Sequence, residues 1–581
     1  MARFSSVIIL TFKPSGNFSL GGTVDAKETN RAKQGPHGDQ DIWNGEFLMM
    51  NKRNYTQTPP LGIAKGIIPF ARRRRNAIIK KARSASKLAF MVLLLFVCGC
   101  KNYMHSSKSD AFAYRTATAE IKPRRAVSAN SFWSKNEPAQ LTEKQHEMAS
   151  YAWAYFTRTV FPETGLPQGA VGSDTLTMDN IAGYLAALTC AKRIGVLADI
   201  EFHERMTKLV TWLNKMQLNS LGLPNTFYSG RTGQSLNGVS QPGEDGHSAL
   251  DIGRLLILLR IVRNEFPTHA AAIDRAVLRW NFRKLIDADG LLYGSYYRDG
   301  GLHSYREGRF GELQYAAKGF ALWGFKIDAS IQSGKTSLIT VNNILLPFDN
   351  RYSHISPIPR PQGEPRQTGA VTTTAPLLDG MEFDWLIPMK GTDYETWEVD
   401  QKSLQLAQAL YAVQKSRYKV EGMLTARSAH NLDRPPYFVI DSVFALGDPF
   451  ATMDKSGNPQ PGQACISTSA SFQLWSMFEG PYTDLLMDSV NSLFDQYGGW
   501  YAGSYEDGGA TNKAISLNDN AVILESLAFI LNGPLFKPAS QPGYWELTLE
   551  AESFEAQGLP PAKFQQQFQP MLDTRKAEPR P

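Results

Sequence analysis

The stretch from residue 142 to residue 329 is a succession of helical segments with apolar faces, separated by short breaks that contain Gly and Pro. Apolar residues recur at three- and four-residue steps over residues 142–159, 178–194, 199–217, 247–265, 269–286 and 310–324. Each such helix buries one face against a neighbour, and short breaks place consecutive helices side by side. The pattern therefore predicts an all-α fold of paired helices arranged around an axis.

Residues around 330–390 interrupt this pattern. The segment ITVNNILLPFDNRYS has β-branched alternation and is followed by a run rich in Pro and Thr, which predicts a small β-containing excursion. Helices are predicted again at residues 395–417, 467–478, 481–495 and 518–531. We expect one folded domain over residues 142–535 and a polar tail, rich in Gln and Pro, over residues 536–581.

The apolar run LAFMVLLLFVCGC at residues 88–100 is a candidate export signal. A basic block that begins at Arg72 precedes the run, and the run is too short to span a bilayer as a helix. Its last four residues resemble a bacterial lipobox, in which Cys100 would be lipidated and would hold the mature protein on a membrane. An uncleaved membrane anchor is the alternative. Both interpretations predict an exported protein, periplasmic or on the cell surface.

The residues on either side of this run are predicted to be poorly structured. Residues 1–87 form a leader without strong periodicity. A signal peptide normally lies at the start of a nascent chain, whereas residues 1–71 precede the basic block here. We therefore expect an over-extended start, with Met49 or Met50 as a more natural first residue. Residues 101–141 are polar, with much Ser, Lys and Ala, and are predicted to be a flexible tether.

The net charge of +6 belongs to the leader. Residues 1–100 carry 16 of the 61 basic and 5 of the 55 acidic residues, which leaves 45 basic and 50 acidic residues in the remainder. The mature protein is thus slightly acidic, and we expect no nucleic-acid partner. Of the two cysteines that remain, Cys190 lies in an apolar run and is predicted to be a buried thiol, although a disulfide with Cys465 is allowed.

Candidate catalytic carboxylates stand immediately before and inside a predicted helix in the segment YREGRFGELQYAAKGFALW, residues 305–323. Glu307, Arg309 and Glu312 lie ahead of an apolar face that would fix the first helical turn rigidly. Asp179 and Asp251 occupy similar positions at the starts of two other predicted helices. The alternative for all these acids is that they favour the positive end of a helix dipole or cap the helix.

The segment GGWYAGSYEDGGATNKAISLNDNAVILESL, which starts at residue 498, interleaves aromatic residues with carboxylates and amides. This mixture suits sugars, because a pyranose offers C–H faces to aromatic rings and hydroxyls to paired polar groups. The alternative is that the loop aromatics fold back onto the core. HExxH, GxSxG, P-loop and GxGxxG motifs are absent from the sequence, and His247 with two nearby acids is weak evidence for metal. Carboxylates favour glycoside hydrolysis, and we expect no metal or cofactor.

Seven collinear segments between residues 142 and 535 resemble the bacterial family called domain of unknown function 3131. They are LTMDNIAGYLAAL, HSALDIGRLLILLRIV, EGRFGELQYAAKGFALWG, DRPPYFVIDSVF, PYTDLLMDSV, GGWYAGSYE and NDNAVILESL. The resemblance implies an (α/α)6 toroid, related in fold to glucoamylase-like hydrolases, endo-β-1,2-glucanases and β-1,2-glucan transglycosylases. It also implies a glycan-processing enzyme, with polysaccharide-synthesis machinery as a partner.

The resemblance also implies which residues line a cleft at one mouth of the toroid. The matching positions are Asp179, Asp251, Arg254, Glu307, Arg309, Tyr315, Tyr437, Trp500, Tyr505, Glu506 and Asn520. We expect Glu307 to be the general acid, because Tyr305 and burial would raise its pKa, and Asp251 to be the base. Glu312 and Asp179 are reserve candidates. Relative to the family pattern, Ala429 replaces a common acidic residue, and Ile440 and Asp519 replace Tyr and Thr.

Together these expectations describe a lipid-anchored glycoside hydrolase that cleaves a glucan-type polysaccharide with inversion. Two alternatives stay open on the sequence alone. One is a non-catalytic glycan-binding protein that assists polysaccharide assembly or export, and the other is a β-glucan transglycosylase, which would need a retaining geometry.

Overall fold

The computed structural model of the chain describes residues 121–128, 139–298, 300–325, 327, 330, 336–349, 369–388 and 397–538. These residues contain eleven α-helices: α1 Glu143–Thr159, α2 Met178–Ile194, α3 Asp199–Lys215, α4 Ala249–Glu265, α5 Pro267–Leu278, α6 Glu312–Leu322, α7 Thr374–Phe383, α8 Gln401–Glu421, α9 Thr468–Met477, α10 Pro481–Val490 and α11 Leu517–Asn532.

Short antiparallel strands fill the connections between the helices. In the described ranges they are β1 Thr175–Leu176, β2 Phe227–Ser229, β3 Ser235–Leu236, β4 Gly246–His247, β5 Tyr293–Arg298, β6 Gly301–Arg306, β7 Thr336–Val341, β8 Ile344–Asp349, β9 Leu386–Pro388, β10 Trp397–Val399, β11 His430–Asn431, β12 Phe438–Asp441, β13 Phe444–Ala445, β14 Asp448–Pro449, β15 Thr452–Met453, β16 Cys465–Ser467, β17 Phe494–Asp495, β18 Gly499–Trp500, β19 Gly503–Tyr505 and β20 Thr511–Asn512. The sheets hold two or three strands each, with orders β1-β2-β3, β4-β5-β6, β7-β8, β10-β9, β11-β12-β15, β13-β14, β16-β19-β20 and β17-β18.

Six helices contact one another in a cyclic order. Helix α2 packs on α4, α4 on α6, α6 on α7, α7 on α9, α9 on α11, and α11 returns to α2. These six helices are buried on nearly all sides, as α4 and α11 show along most of their length. Each of the other five, α1, α3, α5, α8 and α10, contacts at least one helix of the cycle. Helix α3 buries only one stripe, at residues 202, 206, 209, 210 and 213.

Small residues let the helices of the cycle approach closely. A Cβ atom added at Gly319 of α6 would lie 2.0 Å from the carbonyl oxygen of Gly253 in α4, and one added at Gly253 would lie 2.5 Å from the carbonyl oxygen of Ala316. The backbones of α4 and α6 therefore touch over about one helical turn. This contact places the first turns of the two helices side by side.

The predicted helices correspond closely to the observed ones, and one helix is missing from the prediction. Helix α7 falls within the predicted β-containing excursion, of which the β7–β8 hairpin is the part that is confirmed. The segment of α7 was not recognisable because Ala375–Phe383 is entirely buried, so no polar face gives it a helical period. Both Cys190 and Cys465 are free and buried, which confirms the predicted buried thiol at Cys190.

The start of the described chain packs against the end of helix α9. Arg124 donates a backbone hydrogen bond to the carbonyl oxygen of Met477 and a side-chain bond of 2.9 Å to that of Trp475. The predicted leader, the apolar run with Cys100, most of the predicted tether and the tail from residue 539 lie outside the described residues. In the part of the chain that is described, no helix combines the length and apolarity needed to cross a bilayer.

We expect Gly253→Ala and Gly319→Ala each to destabilise the protein by about 1–3 kcal/mol, because the new methyl group would push α4 and α6 apart. The free energy of unfolding in urea measures the effect. Gly462→Ala is the matched control, since a Cβ atom there meets no atom within 4 Å. Equal stability of Gly319→Ala and the control would contradict the close backbone contact.

Candidate active site

A cavity of about 480 Å³ lies at the N-terminal ends of all six helices of the cycle. The helices contribute Asp179 and Asn180 from α2, Asp251 and Arg254 from α4, Glu312 and Tyr315 from α6, Thr374 and Leu378 from α7, Ser469 from α9, and Asp519 and Val522 from α11. Helix N-termini carry partial positive charge, which favours carboxylates in their first turns. The fold therefore gathers four acids around one cavity.

Two of these acids are held by the same local motif, Ser-x-x-Asp at a helix start. Ser248 caps α4, and its hydroxyl donates to Asp251 Oδ1 at 2.8 Å while it accepts from the Asp251 N–H at 3.2 Å. Ser516 caps α11 and makes the corresponding bonds to Asp519, at 2.6 and 3.1 Å. Each carboxyl is thus fixed at the third residue of its helix by its own N-cap.

Burial, together with the nearby carboxylate of Asp179, raises the pKa of Asp251 to about 6. The Ser248 hydroxyl and the Arg309 guanidinium act in the opposite direction. Asp251 therefore titrates close to neutrality while it lines the cavity. A carboxyl with this pKa is able to donate a proton at mildly acidic pH.

Glu307 lies behind the cavity wall and does not line the cavity. Its side chain is 5% exposed, and Oε1 accepts bonds from the Ala249 N–H at 3.1 Å and from the Tyr305 hydroxyl at 3.4 Å. Burial raises its pKa to about 7, an effect that the Arg309 guanidinium opposes and that Asp251 adds to. The raised pKa of Glu307 suits an acid catalyst, but Asp251 is the one of these two side chains that lines the cavity.

The other two cavity carboxylates of the described residues are paired with cations. Asp179 binds the Arg254 guanidinium at 2.8 Å, and Glu312 binds Arg309 at 2.9 Å. Glu312 also accepts a bond of 2.9 Å from the Thr372 hydroxyl. The ion pairs hold both carboxylates in place at the cavity wall.

A network of buried ionisable groups lies beneath the cavity. Arg254 reaches from Asp179 to Glu525 at 3.1 Å, and the Tyr315 hydroxyl donates to Glu382 at 2.8 Å. Burial raises the pKa of Glu525 to about 7, against the effect of Arg254, and it raises the pKa of Glu382 well above its usual range, an effect to which Glu525 adds. Arg254 and Tyr315 thus connect the floor of the cavity to the interior of the helix cycle.

Trp500 and Asn520 do not line the cavity, which corrects their predicted role in sugar binding. The Trp500 ring is fully buried, and its Nε1 donates to the Met148 carbonyl oxygen at 3.1 Å. Asn520 accepts from the Trp500 N–H at 2.8 Å and donates to the Ser516 carbonyl oxygen at 2.8 Å. This part of the aromatic loop folds back onto the core, as the alternative interpretation proposed.

Tyr505 and Glu506 also lie away from the cavity. The Tyr505 hydroxyl donates to Asp433 at 2.7 Å, and Glu506 pairs with Arg417 at 3.1 Å and with Arg427 at 2.7 Å. Both side chains are therefore engaged in structural contacts.

Tyr437 is 61% exposed and stands next to Phe438, which lines the cavity. Its backbone has a positive φ of 65°. Tyr437 is therefore available at the edge of the cavity, whereas Phe438 is the aromatic residue that enters it.

Several cavity residues were not among the predicted site residues. Asp519 has a signal in the sequence, because Ser516-x-x-Asp519 repeats the motif of Ser248-x-x-Asp251. Phe227, Phe438 and Lys455 come from strands and turns that carry no sequence signal for a site. Ala429, at the position where the family pattern has an acid, also lines the cavity.

His247, the weak metal-ligand candidate, is engaged by Ser295 in the structure. It is buried, its Nδ1 is 2.7 Å from the Ser295 hydroxyl, and burial lowers its pKa to about 4. Across the described segments, no group of three or more His, Cys, Asp or Glu side chains has an arrangement that would hold a metal ion.

A family model described as "Protein of unknown function (DUF3131)" matches residues 147–533. The chain belongs to the DUF3131 family. No curated protein sequence matches this DUF3131 chain.

Three solved structures illustrate what the DUF3131 chain is similar to. An endo-β-1,2-glucanase from Chitinophaga pinensis, in complex with sophorotriose and glucose, has 14% identity over 74% of this chain and 99% of that chain, with a TM-score of 0.49. A glucoamylase-like protein from Bacteroides fragilis has 16% identity over 70% and 96%, with a TM-score of 0.49. An endo-β-1,2-glucanase from Talaromyces funiculosus, in complex with sophorose, has 10% identity over 68% and 84%, with a TM-score of 0.45.

We expect Arg254→Met to destabilise the protein by about 3–5 kcal/mol, because it leaves buried carboxyls without their cation. Unfolding in urea measures this loss. Arg231→Met is the control, since Arg231 is 65% exposed and its pair with Asp174 is worth about 1 kcal/mol or less. A loss no larger than that of the control would show that the interior network tolerates an unpaired Glu525.

Glu307→Gln should make folding less sensitive to pH. The native protein keeps the Glu307 proton up to about pH 7, whereas the unfolded chain loses it near the ordinary value of 4.5. This difference lowers the free energy of unfolding of the unmodified protein as pH rises from about 4.5 to about 7. Urea unfolding across that range should show a smaller decline in the variant, and an unchanged decline would mean that Glu307 is ionised in the native state.

Proposed function

We propose that this chain is a glycoside hydrolase that acts on a glucan-type polysaccharide, and that the cavity at the helix N-termini is its active site. The observation that carries the proposal is a carboxyl, Asp251, that lines the cavity with a pKa of about 6 and lies beside two carboxylates that form ion pairs with arginines. We further propose that the cycle of six helices is the inner ring of an (α/α)6 toroid.

The cavity has the contents that sugar binding requires. Its volume lies in the range of small-molecule sites, and Phe227 and Phe438 offer aromatic surface for the C–H face of a pyranose. Asp179, Glu312 and Asn518 offer acceptors and donors for hydroxyl pairs. The ion pairs that hold Asp179 and Glu312 also fix where these acceptors point.

Asp251 is the proposed general acid, which revises the expectation that Glu307 donates the proton and Asp251 is the base. A general acid must be within hydrogen-bond reach of the leaving oxygen, and Asp251 faces the cavity while Glu307 does not. Glu307 acts behind it, since its Oε1 accepts from the N–H of Ala249, the first residue of the helix that carries Asp251. Glu307 is therefore proposed as a positioning residue that holds the start of α4.

The membrane anchor through Cys100, the periplasmic or surface location and the link to polysaccharide-synthesis machinery are proposals from the sequence. One observation fits an anchor that precedes the domain. Arg124 packs at the Met477 end of α9, whereas Ser469 at the other end of that helix lines the cavity. A tether that enters at the Met477 end leaves the cavity end of α9 free for a polymer.

The test is turnover of β-1,2-, β-1,3- and β-1,4-linked glucans by the purified protein, with new reducing ends as the readout. We expect one linkage to be cleaved and Asp251→Asn to lower kcat by about 100-fold or more. Activity should fall as pH rises through about 6, because the general acid loses its proton there. Asp488→Asn, an exposed substitution on α10, is the matched control.

Two outcomes would change the proposal. Binding of a glucan without any turnover would favour a non-catalytic protein of polysaccharide assembly. Products longer than the substrate would favour a transglycosylase, which requires a retaining pair of carboxyls.

A further inference from the structure

Two of the four carboxyls that line the cavity have no cation partner among the described residues. Asp179 is bound by Arg254 and Glu312 by Arg309, whereas Asp251 and Asp519 are bound only by hydroxyls and backbone N–H groups. A carboxylate that is neutralised by a guanidinium is a poor base, because its charge is already stabilised. The chemistry of the cavity therefore falls to Asp251 and Asp519.

Asp519 is held by donors on both oxygens. Ser469 donates to Oδ1 at 2.7 Å and Ser516 donates to Oδ2 at 2.6 Å. The Ser469 hydroxyl lies 3.1 Å from that of Ser467, which accepts from Ser428 at 2.8 Å. This chain of hydroxyls fixes the orientation of the carboxyl, which is only 3% exposed and lines the cavity.

The ionisable surroundings of Asp519 differ from those of Asp251. Burial raises the pKa of Asp519, while the hydroxyls of Ser516 and Ser469 and the side chain of His430 on β11 act in the opposite direction. Tyr155 on α1 also faces Asp519, but burial holds the pKa of this phenol far above neutrality. Asp251 instead lies near the carboxylates of Asp179 and Glu312, which favour its protonated form. Burial therefore raises the pKa of both carboxyls, but hydrogen-bond donors on both oxygens oppose this effect at Asp519, whereas two neighbouring carboxylates add to it at Asp251.

We infer that Asp519 is the general base that deprotonates the attacking water, opposite in role to Asp251. The inference rests on the proposed hydrolase function and adds the second catalytic carboxyl to it. Helices α4 and α11, which carry these two residues, both contact α2 in the cycle, so a sugar above Asp179 would have one carboxyl on each side. Such an arrangement suits an inverting reaction, in which acid and base act on opposite faces of the ring.

Hydrolysis of the glycosidic bond uses one proton transfer at each of the two carboxyls. Asp519 takes a proton from water, and the water oxygen forms a bond to the anomeric carbon. The bond from that carbon to the glycosidic oxygen breaks, its electron pair stays on the leaving oxygen, and Asp251 gives that oxygen a proton. Exchange of one proton with solvent at each carboxyl then restores the enzyme.

Asp519→Asn in the full chain tests the inference, with the cleaved glucan of the panel as substrate. We expect kcat to fall by about 100-fold or more while KM changes by less than about threefold, because an amide still binds hydroxyls but takes no proton. Azide should restore part of the rate and yield a glycosyl azide of inverted configuration, since this anion attacks without a base. Asp488→Asn should behave like the unmodified protein.

Ser469→Ala gives a second measurement that does not depend on Asp519→Asn folding. Loss of one donor raises the pKa of a carboxylate, so the acidic limb of the pH profile of kcat should move to higher pH. The basic limb, which belongs to Asp251, should stay in place.

The outcomes separate the inference from the proposed function. If Asp251→Asn is inactive while Asp519→Asn keeps kcat within about threefold, the hydrolase stands and Asp519 is not its base. A rise in KM alone for Asp519→Asn, or no azide product, would make Asp519 a hydroxyl ligand and overturn the inference. If the unmodified protein binds glucans but cleaves none, the proposed function fails and the inference fails with it.

Discussion

The helix cycle depends on how its buried charges are paired. Arg254 enters the interior at the floor of the cavity and holds a carboxylate on each side, Asp179 above and Glu525 below. A buried guanidinium is costly unless its partners are close and well oriented, and these partners come from α2 and α11, the helices on which the cycle closes. The same ion pairs therefore join three helices and set the position of a cavity acid.

Two physical effects compete at the cavity. Six helix N-termini converge there and favour negative charge, while burial disfavours it. Burial prevails for Asp251 and Glu307, whose pKa values rise to about 6 and about 7. Asp179 and Glu312 instead form ion pairs with Arg254 and Arg309. One fold thus places carboxyls in different electrostatic surroundings around one cavity, the kind of contrast on which acid and base catalysis of glycoside cleavage depends.

Glycine packing and active-site geometry are connected in this protein. The contact between Gly253 and Gly319 brings α4 and α6 together near their first turns. Asp251 is the third residue of α4 and Glu312 is the first residue of α6, so the glycine contact influences how closely these acids approach. A site built on the ends of packed helices is more rigid than one built on loops, which is what catalysis needs.

The helices with a polar and an apolar face follow from the local sequence, as do the Ser-x-x-Asp starts of α4 and α11, because helical period and capping depend on neighbouring residues alone. The sequence also identified most of the acids and arginines of the cavity. Helix α7 could not be predicted from the sequence, because a segment that is buried on all sides has no alternation of polar and apolar residues with a helical period.

Which of these residues face the cavity depends on how the distant segments pack in the folded protein. Glu307 and Asp251 both stand at or just before the start of a helix in the sequence. In the structure, Glu307 accepts a hydrogen bond from the Ala249 N–H and does not line the cavity. Trp500 has the composition of a sugar-stacking residue but is buried in the core, where it donates to the Met148 carbonyl oxygen. Asp519 is held in part by Ser469, which belongs to another helix. Access and burial arise from contacts between distant segments, and no local pattern records them.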